Sequence, residues 1–327
     1  MQTRFKVLPY SIDALKKLLA NESKPSIIKE KLHSTYFENY FDELKTKVIL
    51  VEYDYVDRDF LEDYSGYYVR CFKEYNRKCT RVHFFGIEFA ESDFEKLLMG
   101  QSSNISIEIL QNSYHGFIVI KPLPRTIIGR TCLKTYDDDN GRRCYPTIHK
   151  YNVNLFGVSL TIDSLAFQEQ DSVVAACATS ALWSAFQRTG RIYHHQIPSP
   201  VEITKLASAI PSEFESRTFP SKSLTGTQMV HAIRQVGLDP MGVSANDDFI
   251  LKSTSYAYLR GGIPIILCVA LWDTATPKPE FLGGHAVTIT GYSLGLASAT
   301  PIGEYGFLLR SCKIDELYAI ALMDMLR

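Results

Sequence analysis

Two side chains far apart in the chain, Cys177 and His285, are the pair best suited to making or breaking an acyl bond. Cys177 follows a polar run from Gln168 to Asp171 and precedes an alanine-rich stretch carrying Leu182, Trp183 and Phe186. That pattern predicts a helix over residues 178–187, with Gly190 as its stop. A thiol in the first turn of a helix sits where unpaired backbone N–H groups and the macrodipole favour negative charge. The thiolate is the reactive form of cysteine. His285 lies in LGGHAVTITGY, an alternating run expected to be a strand, and offers the base that a thiol nucleophile needs. The competing reading of Cys177 is a core residue, because free cysteine is among the most buried residue types.

The ordered combination Gln–(6)–Cys–Ala–x–x–Ala–Leu–Trp, then Gly–Gly–His–Ala–Val–x–Ile–x–Gly–Tyr, resembles the papain-like cysteine peptidases. It is closest to the bacterial peptidase C39-like branch and covers roughly residues 160–327. The resemblance implies a helical lobe and an antiparallel sheet with a cleft where Cys177 meets His285. It also implies an upstream glutamine completing an oxyanion hole. Gln170 is the candidate, one residue further from the cysteine than the pattern, with Gln168 in reserve. The residue that orients the imidazole should be an Asp or Asn beyond the strand next to the histidine strand. Ala321, Leu322 and Met323 stand there, and Asp324 is the nearest candidate; a Cys–His dyad is the alternative.

The resemblance implies a thiol-dependent acyl-transfer enzyme, a cysteine peptidase or amide hydrolase acting on a peptide or protein substrate. No cofactor and no metal is expected. The alternative is a catalytically weak or inactive papain-like module that binds or senses a protein, with the N-terminal half recognising the partner.

Composition sets outer bounds. Of 327 residues, 46% are hydrophobic and the net charge is −1, so a large core is possible and nothing argues for nucleic acid or an anionic membrane as partner. The seven cysteines include no CxxC pair, and Cys132, Cys144 and His149 fit no common zinc spacing. The N-terminus has no signal-peptide core and no run approaches the roughly 20 apolar residues of a membrane span. A reduced, cytoplasmic protein is the expectation.

The elements that must position these residues read as α+β. A mixed α/β N-terminal domain is expected over 1–155 and a papain-like domain over 156–327. In the first, helices at 11–20, 25–44 and 91–100 alternate with strands at 47–56, 81–90, 105–110 and 116–124. Asp139-Asn140-Gly141 marks a hairpin turn, and 150–162 reads as strands joining the halves. In the second, a helix at 198–210 with Pro200 in its first turn precedes one capped by Thr225 with Gln228, and then a helix at 248–259. Strands at 263–272, around His285, at 306–311 and at 316–323 are expected to close an antiparallel sheet.

Overall fold

The apolar run from Val48 to Val51 is buried on both sides, and the first half is built around it. The computed structural model describes residues 4–20, 33–137, 139–171, 173–210, 218–221, 223–274, 279–295, 298–302, 307–311 and 314–320. Strands β1 (Phe5–Pro9), β2 (Val48–Tyr55), β3 (Cys79–Phe85), β4 (Tyr114–Ile120) and β5 (Ile128–Leu133) form one antiparallel sheet in chain order. Side chains alternate across it. Ile49 and Val51 meet Leu15 and Leu19 of α1 (Ile12–Leu19) and Phe37 and Phe41 of α2 (His33–Glu43). Val48 and Leu50 face the other way, toward Phe60 of α3 (Arg58–Gly66) and Phe94 of α4 (Glu91–Leu98).

Residues Ile105–Leu110, expected to be a strand, instead enter helix α5 (Ile107–Asn112). Ser106 caps it, its hydroxyl accepting from the Ile109 N–H at 3.2 Å, and this local bond outweighs the β-branched composition. The turn at 139–141 does form, with φ of 48°, 57° and 80° at Asp139, Asn140 and Gly141. Its following strand β6 (Arg143–Cys144) pairs with Tyr292 and Ser293 near the far end of the described chain.

Strands β7 (His149–Leu155) and β8 (Val158–Ser164) make a hairpin whose turn, Phe156-Gly157, falls at the boundary expected between the halves. Val153, Leu155, Leu160 and Ile162 from this hairpin share one core with Phe60, Phe117, Trp183 and Ile203. A continuous apolar interior therefore joins the N-terminal sheet to the helices that follow.

Those helices are α6 (Cys177–Tyr193), α7 (Pro200–Ala207), α8 (Gly226–Gln235) and α9 (Asp248–Arg260). The capping box at Thr225 and Gln228 is present, and Ser199 with Glu202 makes a second one at α7. Gly190 does not stop α6. It lies inside the helix, where a Cβ would come within 2.5 Å of Ile197, so its small size serves close packing; the helix ends at His194, in the left-handed conformation with φ 57°.

Strand β10 (Glu280–Leu294) pairs antiparallel with β9 (Ile265–Asp273) along its first part and with β13 (Ile314–Ile320) along its last. Strands β11 (Ser298–Ile302) and β12 (Phe307–Ser311) form a separate hairpin. The fold is mixed α+β with antiparallel sheets. Among the described residues, no helix is long and apolar enough to cross a membrane.

Candidate functional site

The segment that delivers Cys177 is fixed before the helix begins. Phe167 and Thr131 exchange backbone hydrogen bonds of 2.8 and 3.1 Å, so residues after β8 run along the edge of β5. Glu169 is fully buried and accepts from the Ile127 and Ile128 N–H groups, both at 2.9 Å. Asp171 then folds the chain back. Its Oδ1 accepts from the N–H groups of Val173, Val174 and Ala175 at 2.8, 2.6 and 2.8 Å, and its own N–H donates to the Ala175 carbonyl at 2.8 Å. Thr204 of α7 donates to the Val174 carbonyl at 2.7 Å, tying this loop to the neighbouring helix.

Cys177 is the first residue of α6 and is partly exposed, while Ala178 and the residues after it are buried. The N-cap position is Ala176, and no side chain caps this end. Alanine is among the poor N-caps, and its side chain accepts from none of the first-turn N–H groups.

Helix α6 lies on the β9–β10 ladder. Thr288, fully buried in β10, donates its hydroxyl to the Ala181 carbonyl at 2.7 Å. Ala286 packs into the core with Ala178, Ala181 and Leu182, so the face carrying Gly284, Ala286 and Thr288 is the one turned to α6. His285 alternates to the other face with Val287 and Ile289; Ile289 packs there on Leu259 of α9. The imidazole is buried, and burial lowers its pKa, so the ring is neutral at pH 7. Its Nε2 has no hydrogen-bond partner, which means that the Cys177 thiol is not bonded to it in this conformation. The fold thus brings the cysteine helix and the histidine strand into contact without joining the two side chains.

No family model, curated protein or solved structure matches this chain. The chemistry of the site therefore rests on its own geometry.

Of the two glutamines, Gln168 is buried and its Nε2 donor is without a partner, whereas Gln170 is half-buried. The buried, unspent amide donor thus belongs to Gln168, the reserve candidate. Asp324 lies outside the described residues. Among the described residues no group of three His, Cys, Asp or Glu side chains is placed to hold a metal ion.

Three residues of this region carry no signal in the sequence. Asp171 is hidden because its role depends on a tight loop, and Thr288 because it reads as an ordinary strand threonine. The third is Cys268, which pairs directly with Ala286 across the β9–β10 ladder and is exposed. Partial desolvation by its neighbours raises its thiol pKa, and a negative charge on Cys177 raises it further.

Proposed function

We propose that the chain is a thiol-dependent acyl-transfer enzyme, a cysteine peptidase or amide hydrolase of papain-like design, with Cys177 as nucleophile and His285 as base. The observation that carries this reading is a partly exposed cysteine opening an uncapped helix that is bonded, through Thr288 and Ala181, to the strand bearing a neutral histidine with an unspent Nε2. In the reaction, Sγ attacks the carbonyl carbon of an amide while its proton passes to Nε2. The same proton then goes to the departing amine, and water releases the acyl group from sulfur. The uncapped N–H groups of α6 and the Gln168 amide are the donors available to the oxyanion. His285 stands on the face of β10 turned away from α6, so a side-chain rotation alone does not carry the imidazole to the sulfur; catalysis requires the strand to turn over at the irregularity beside Gly283. Catalytic hydrogen bonds are commonly long or absent until substrate binds, and Nε2 has no existing bond to break.

The missing Cys177–His285 hydrogen bond favours a second reading, a papain-like module that binds a protein without turning it over. Incubation with a mixed fluorogenic peptide library separates the two. Thiol-dependent turnover abolished in both Cys177→Ala and His285→Ala supports the enzyme. Folded protein that retains peptides without cleaving any supports the module.

A further inference from the structure

We propose that Cys177 and Cys268 form a reversible disulfide when the protein meets a hydroperoxide, closing the site at its nucleophile. The backbone sets Cys268 on the face of the sheet against which the helix opened by Cys177 packs. Cys268 sits directly across the ladder from Ala286. Paired residues of adjacent antiparallel strands hold their Cβ atoms about 4.5–5.5 Å apart on one face of the sheet. That face is the α6 face, because Thr288, two residues on from Ala286, donates to the Ala181 carbonyl of α6, and Ala286 and Ala178 belong to the same buried core. Helix α6 also packs on β9 itself. Both thiols are free and neither is fully buried, so an oxidant reaches them. That the charge on Cys177 acts on the Cys268 thiol agrees with this proximity.

The other described cysteines make poor partners. Cys71, Cys79 and Cys132 belong to the core of the N-terminal half, and Cys144 lies in β6, beside Tyr292 and away from the start of α6. The chemistry balances with a hydroperoxide as the only co-reactant. The Cys177 thiolate attacks the peroxide oxygen, taking one oxygen atom as sulfenic acid and releasing water or an alcohol. The Cys268 thiol then attacks that sulfur, its proton leaves with the sulfenic oxygen as a second water, and the S–S bond forms. Two thiols are oxidised and one peroxide is reduced. A dithiol reductant reverses the bond.

Formation of the disulfide needs only the placement of the two thiols; its effect on turnover rests on the acyl-transfer reading above. The test therefore reads the linkage and not activity. Full-length protein is treated with hydrogen peroxide, its remaining thiols are alkylated after denaturation, and the chain is digested without reduction. The proposal expects the peptide containing Cys177 to be joined to the one containing Cys268, with the alkylated thiols falling by two from the seven of the sequence. It also expects reductant to restore both. Cys268→Ser, a change at an exposed position, should turn the linkage into sulfinic or sulfonic acid at Cys177. Linkage of Cys177 to another cysteine, or over-oxidation of Cys177 in the wild type to the same degree as in Cys268→Ser, overturns it.

Discussion

Thr288 and Ala181, 107 residues apart in sequence, are joined by a 2.7 Å hydrogen bond from a strand hydroxyl to a helix carbonyl. The bond fixes how far along β10 the start of α6 lies, and with it the setting of Cys177. Thr288→Val keeps the shape and removes the donor. The Ala181 carbonyl retains its place in the helix ladder, so the cost should be about 1 kcal/mol, read as a shift in urea midpoint. A midpoint unchanged by Thr288→Val would show that packing alone sets the helix on the sheet.

Asp171 supplies one oxygen to three consecutive N–H groups just ahead of the nucleophile. Asp171→Ala should cost about 2 kcal/mol, because N–H groups at a partly buried turn lose their acceptor. It should also alter the alkylation rate of Cys177 more than that of the exposed Cys268. Equal changes at both thiols would reduce Asp171 to a general stabiliser.

In the first half, Arg81 and Glu52 form a nearly buried ion pair at 2.7 Å, with the guanidinium 4.1 Å from the Tyr55 ring centroid. Arg81→Leu leaves the Glu52 carboxylate without its cation in a desolvated site. Such one-sided removals cost on the order of 3–5 kcal/mol, and chemical denaturation should show it. The double change Arg81→Leu with Glu52→Leu should recover much of that loss.

His83 is fully buried, and burial lowers its pKa to about 4, against the opposing pull of the Glu52 hydrogen bond. The unfolded chain therefore binds a proton near pH 6.5 that the folded chain refuses until about pH 4. Its contribution to stability is complete above the unfolded value and is lost as pH falls through that window. Between neutral pH and about pH 5 the loss amounts to about 2 kcal/mol. His83→Gln, which does not titrate, should show a pH dependence flatter by that amount. Parallel curves for the two proteins would mean that the imidazole is protonated in place.

Much of this architecture is legible in the residues. The β-branched run at 47–56 reads as a strand, and Pro200 in a first turn and the Thr225–Gln228 capping pair locate helix starts. Local rules failed where a distant contact or a single hydroxyl prevailed. Ser106 turned an apparent strand into a helix, Ile197 packed against Gly190 and let α6 continue, and β6 left its own turn to join β10. For the site, residue types and spacing indicated Cys177 and His285. They could not show which face of β10 each side chain takes, because a one-residue change of register reverses every side chain of a strand. Cys268 was invisible for the same reason: only the ladder shows that it stands across from Ala286.

The most direct test of the account is the rate at which iodoacetamide alkylates Cys177, resolved by peptide mass, in the wild type and in His285→Ala between about pH 6 and pH 8. If His285 serves the sulfur, Cys177 should react faster than Cys268, and its rate should fall about tenfold or more in His285→Ala while that of Cys268 stays put. Matching Cys177 rates in the two folded proteins across the range would contradict the assignment of His285 as the base.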